Sequence, residues 1–85
     1  MKRIATAPEA LKIVKTPGVC GGAARVQSTR IPVWGLVKAR REGCTDEQLF
    51  EMYPALSADD LSHAWKYAEL HADEISGDIQ RNEEA

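Results

Sequence analysis

Apolar residues recur at spacings of three and four through most of the chain, and that period is helical. Val33, Leu36, Val37 and Arg40 predict a first helix from Pro32 to about Glu42. Pro32 suits its first position, where the missing N–H costs nothing, and Gly43 supplies a left-handed stop. Thr45 is a good N-cap for a second helix. Asp46 and Glu47 complement the positive end of its dipole, and Gln48 completes a capping box. Leu49, Phe50 and Tyr53 form its buried face, and Pro54 ends it near Tyr53. Ser57 caps a third helix, along which Leu61, Ala64, Trp65, Ala68, Ala72 and Ile75 share one face. Trp65 is the largest expected core residue, and truncating a buried tryptophan typically costs about 3–5 kcal/mol. The pattern weakens at Gly77, so 77–85 reads as a frayed acidic tail.

Ahead of the helices the signal is extended. Leu11-Lys12-Ile13-Val14 reads as a weak strand bounded by Pro17-Gly18. Arg25-Val26-Gln27-Ser28-Thr29-Arg30-Ile31 reads as a run that can pair with it antiparallel across a turn at Gly18, Gly21 and Gly22. Residues 1–10 read as a flexible arm. The expectation is one α+β domain, mainly α, over 11–76: a short two-stranded element followed by a three-helix, helix-turn-helix-like (homeodomain-like) unit. Two strands alone are barely stable in water and leave an open edge, which points to a homodimer.

The segment from Pro17 to Val33 carries the most specific pattern: a Cys-Gly-Gly turn at 20–22, an arginine-containing extended run, and Thr29-Arg30-Ile31-Pro32-Val33 entering the first helix. It resembles a family of small bacterial domains of unknown function, VapB-like antitoxins with a helix-turn-helix unit. The likeness continues through Gly43, Tyr53-Pro54-x-Leu56 and the helix after Ser57, and spans roughly Leu11 to Ile75. At Ser28 this chain departs from the glycine common in that family. The resemblance implies the antitoxin of a type II toxin–antitoxin pair, whose partner is a PIN-like ribonuclease encoded nearby. Such toxins hold magnesium with clustered carboxylates, which a basic antitoxin surface would neutralise. Operator DNA is a second ligand that the resemblance leaves open. The other readings are a stand-alone helix-turn-helix DNA-binding regulator, or a protein–protein interaction module without a nucleic-acid role.

Charge sharpens this picture. The 85-residue chain has a net charge of −2, but its halves differ. Residues 1–44 carry nine Lys/Arg against Glu9 and Glu42, so +7; residues 45–85 carry Lys66 and Arg81 against eleven Asp/Glu, so −9. Either a basic surface meets an anionic partner, or the halves neutralise each other on folding.

Candidate residues follow from that asymmetry. Arg25 and Arg30 can grip carboxylate or phosphate through paired hydrogen bonds. Arg30 is expected to staple the glycine-rich turn, and Arg25 to be exposed and available to a partner. Arg81, in the acidic C-terminal segment, is the alternative partner contact. Lys38, Arg40 and Arg41 at the end of the first helix, with Ser62, His63 and Lys66 on the third, are the nucleic-acid candidates. Asp59 and Asp60 at the start of that third helix argue against strong autonomous DNA binding.

Other classes have little support. His63 and His71 stand eight residues apart, about 12 Å along a helix, too far to share a metal. Cys20 and Cys44 read as reduced thiols without a catalytic partner. No apolar run could span a bilayer and no secretory signal pattern is present, so the expected compartment is the cytoplasm. No enzymatic activity, cofactor or metal is expected.

Overall fold

A computed structural model describes residues 12–27 and 29–84; the expectations for the arm at 1–10, for Leu11, Ser28 and Ala85 lie outside those residues. Strand β1 (Ile13–Val14) pairs antiparallel with β2 (Arg25–Val26), in the register Ile13↔Val26 and Val14↔Arg25. Four helices follow rather than three: α1 (Val33–Arg41), α2 (Asp46–Met52), α3 (Ala58–Leu70) and α4 (Ala72–Glu84). The fold is therefore α+β and mainly α. No helix among the described residues is long and apolar enough to cross a membrane.

Local chemistry sets most boundaries. Arg25–Ile31 is not one extended run. The chain turns back after Val26, whose N–H donates to the Ile31 carbonyl at 2.9 Å, while Thr29 N–H donates to the Val26 carbonyl at 3.1 Å. Pro32 is the N-cap of α1 in an extended conformation, and Val33 is the first helical residue. Gly43, at φ 104°, ends α1 with paired bonds: its N–H donates to the Arg40 carbonyl and that of Cys44 to the Ala39 carbonyl, both at 3.0 Å. This is the Schellman arrangement, for which glycine is the residue of choice. Thr45 and Gln48 form the expected capping box of α2, and Ser57 pairs with Asp60 in the same way at α3.

The largest departure lies at the C-terminus. The helix after Ser57 breaks at His71 (φ −128°, ψ 46°), and the chain resumes as α4 through Glu84. The segment expected to fray from Gly77 is helical, because Ile75 and Ile79, one turn apart, are both buried. α1 packs against α3 and α4, α3 also meets both strands, and the core lies among these elements with Leu49 of α2. Leu36, Leu49, Leu61, Ile75, Val26 and Val33 are its largest fully buried side chains. Trp65, the largest residue expected in the core, is only partly buried and packs against its aliphatic side chains. Full burial of aliphatic side chains contributes about 1.5–3 kcal/mol each, so they hold this small domain together.

Candidate functional site

The glycine-rich turn places four residues in the left-handed region: Gly18 (φ 83°), Cys20 (52°), Gly21 (64°) and Gly22 (83°). Cys20 is the one non-glycine among them, and its thiol donates to the Arg30 carbonyl at 3.3 Å. Both cysteines are free thiols.

Arg25, not Arg30, staples this turn. Its Nη1 donates to the Thr29 carbonyl and its Nη2 to Thr16 Oγ1, each at 2.9 Å. Thr29 adds a bond from Oγ1 to the Val26 carbonyl at 2.8 Å and accepts one from Ile31 N–H at 3.0 Å. Arg25 is half-buried, its Nε lacks an acceptor, and no carboxylate pairs with it among the described residues. Arg30 is the exposed one, and its guanidinium makes no bond among the described residues. The expected roles are thus exchanged. The reason is register: β2 starts at Arg25, opposite Val14, which sets its side chain over the turn, whereas Arg30 follows the reversal. Both line an open groove of about 580 Å³ with Val19, Thr29, Ile31 and Ala55.

Arg81 does not join them. It lies on α4, in a polar cleft with Lys15, Glu74 and Asn82, walled by the Cys20–Ala23 turn. There it pairs with Asp78, a buried residue whose Oδ2 has no partner among the described residues. Lys15 on the sheet side reaches Glu74 at 3.0 Å, and the Tyr67 hydroxyl lies 2.8 and 3.0 Å from the two Glu74 oxygens. Glu74 binding raises the Lys15 pKa. Burial alone would raise that of Glu74, but bonds from Lys15 and Tyr67 prevail and lower it. Burial and the Glu74 contact raise that of Tyr67. Sequence reasoning missed this cluster because it treated the end of the chain as frayed. The available signal was Ile75 and Ile79 four apart, with Asp78 and Arg81 three apart beside them.

The nucleic-acid candidates divide. Arg40, Arg41 and Lys66 come together around an open groove of about 410 Å³ between α1 and α3, floored by Val37, Trp65 and Ala68. The Arg40 guanidinium lies 4.6 Å from the Trp65 ring centroid, and Arg41 donates to Ser76 Oγ at 3.3 Å. Lys38 is held by Glu42 at 2.8 Å, which raises its pKa, and approaches Glu83 at 4.0 Å. His63 Nδ1 sits 2.7 Å from the Asp59 carbonyl oxygen, and Ser62 lines a separate depression with Asp46 and Phe50. Lys12 lies 3.4 Å from Asp59 and 3.5 Å from Asp60. Burial alone would raise the Asp60 pKa, but the Ser57 bonds and Lys12 lower it. The Lys12, Lys15 and Lys38 pairs show the basic and acidic halves partly neutralising each other within one chain. Among the described residues no three His, Cys, Asp or Glu side chains converge as metal ligands.

Comparison with known proteins adds a family. No curated protein matches the chain. A crystal structure of a DUF433 member protein from Anabaena variabilis ATCC 29413 shares 44% sequence identity over 91% of this chain and 89% of that one, with a TM-score of 0.79. The family model for DUF433, described as a protein of unknown function, matches residues 13–68, from the first paired strand to the last turns of α3. The chain therefore belongs to the DUF433 family.

Proposed function

We propose that the protein is a non-enzymatic cytoplasmic antitoxin that neutralises a PIN-like ribonuclease through the groove holding Arg25 and Arg30. The observation that carries this reading is a half-buried guanidinium, Arg25, without a carboxylate among the described residues, beside an exposed one, Arg30. Partial burial strengthens electrostatic attraction, and a carboxylate cluster on a partner supplies the missing counter-charge. Val19, Ile31 and Ala55 give the same groove apolar area that contact would remove from water. A homodimer through the free edge of the two-stranded sheet is the matching assembly.

Operator binding has less support. The six nucleic-acid candidates do not form one cationic face, and Asp59 and Asp60 lie in the first turn of the helix that would read DNA. The test is co-expression with the product of the adjacent gene. Growth rescue, co-purification and inhibition of its ribonuclease activity are the expected results. An adjacent product that neither co-purifies nor is restrained removes the antitoxin reading.

A further inference from the structure

A second groove stands apart from the Arg25–Arg30 face. Val37, Trp65 and Ala68 give the α1–α3 groove an apolar floor, while Arg40 and Arg41 are exposed at its edge. Neither arginine has a carboxylate partner among the described residues: Arg40 rests on the Trp65 ring and Arg41 on a serine hydroxyl. The nearby Lys38 differs, since it is already paired with Glu42. Two unneutralised guanidinium groups beside a partly buried indole call for an anionic occupant that also has an apolar surface. A nucleic-acid backbone fits poorly, because its continuous charge would meet Glu69 within the groove and Glu42 and Glu83 around Lys38. Discrete carboxylates flanking an apolar side chain fit both the edge and the floor.

We propose that this groove docks an acidic, amphipathic peptide segment of a partner protein, with apolar side chains on Trp65 and carboxylates on Arg40 and Arg41. The inference does not depend on the ribonuclease reading. Helix-in-groove recognition of this kind uses a few apolar anchors one turn apart, with charges setting orientation.

The probe is a fluorescein-labelled synthetic peptide with two leucines one helical turn apart, flanked by glutamates, titrated into the full chain and followed by anisotropy. A control peptide replaces the glutamates with lysines. The glutamate peptide is expected to bind and to shift the Trp65 indole N–H resonance, and the lysine peptide to bind at least roughly tenfold more weakly, about 1.4 kcal/mol. Arg40→Glu and Arg41→Glu should each weaken the glutamate peptide by a similar factor. Arg30→Glu, the same charge change in the other groove, should leave it unaltered. Circular dichroism melts establish that each variant is folded; if the Arg40 variant is not, Arg41→Glu and the resonance shift decide. The proposal is overturned by equal binding of both peptides, by absence of binding, by an unmoved Trp65 resonance, or by displacement of the peptide by a DNA duplex at equal charge concentration.

Discussion

The two ends of the described chain are held by different forces. Around the glycine turn, structure rests on directional bonds: one arginine fork joins Thr16 to Thr29, and a thiol reaches the Arg30 carbonyl. In α4 it rests on apolar area, with Ile75 and Ile79 buried, while Glu74 and Ser76 meet Lys15 and Arg41 and Asp78 pairs with Arg81 within the helix. The contrast bears on where function can reside. A turn fixed by one side chain can present its neighbours to a partner without involving the core. A helix fixed by the core cannot be altered without loosening the domain.

The sharpest test of that contrast removes apolar area from α4. Ile75 is 1% exposed, so Ile75→Ala loses the buried side chain and leaves a cavity, with an expected cost of about 2–5 kcal/mol. In a domain this small that is a large share of the total stability. Urea unfolding checks it. A loss below about 1 kcal/mol would mean that α4 is an appendage rather than part of the core.

The next effect belongs to the turn. Arg25→Ala removes both bonds of the fork and should cost about 1–3 kcal/mol, since bonds from a charged donor are worth more than neutral ones. Arg25→Lys keeps the charge but cannot reach two acceptors at fixed geometry, so it should not restore stability. Hydrogen exchange should show the loss concentrated at Val26 and Ile31, whose N–H groups are tied to the reversal. Uniform loss across the helices would place Arg25 with the core instead.

What the sequence could and could not reveal follows the same division. Gly43, the Thr45–Gln48 box and the Ser57 cap were readable because each acts within a few residues. The exchange of Arg25 and Arg30 was not, since it depends on where β2 stops and the chain reverses. The break at His71 was hidden because the spacing from Leu61 to Ile75 continues across it. α4 itself was obscured by Gly77 and a polar composition. Its burial comes from α3 just before it and from α1, which lies far away in sequence. Trp65 misled for a different reason: a large ring with a cation over its face can sit at the edge of the core. Of the nucleic-acid candidates, only Arg40, Arg41 and Lys66 line one groove, and no single-chain pattern distinguishes them from Lys38, which shares a helix with both arginines.

A smaller effect joins the two regions through Lys15 and Glu74. The Glu74 pKa is lowered on folding, so its contribution is present above the ordinary value of 4.5 and is lost as pH falls through the folded value. The Lys15 pKa is raised, so its contribution is present below 10.5 and is lost as pH rises through the folded value. Glu74→Gln should flatten both limbs of the stability–pH profile together, because Glu74 takes part in both shifts. Thermal melts between pH 3 and pH 5 check the acid limb, where Asp60 gives a residual slope through its Ser57 and Lys12 contacts. An unchanged acid limb in Glu74→Gln would show that the sheet and α4 are not coupled through this pair.

The smallest expected change in stability carries the functional weight. Arg30 is exposed, its guanidinium has no partner among the described residues, and its removal should leave stability within about 0.5 kcal/mol of the parent. Only its backbone carbonyl contributes to the turn, and Arg30→Ala keeps that carbonyl. Under the proposed antitoxin role the same substitution removes a contact to the partner's carboxylates. The expected loss is about 2–5 kcal/mol, or roughly 30-fold to several thousand-fold in affinity. Arg25→Ala should also weaken inhibition, and because the same side chain ties the turn it should lower the melting temperature as well. The two variants therefore separate on a plot of melting temperature against ribonuclease inhibition: Arg30→Ala falls in inhibition alone, and Arg25→Ala in both. Should Arg30→Ala inhibit as well as the parent, the exposed guanidinium is not the partner's counter-charge. The Arg40–Arg41 groove, whose arginines also lack carboxylate partners among the described residues, would then be the face to test.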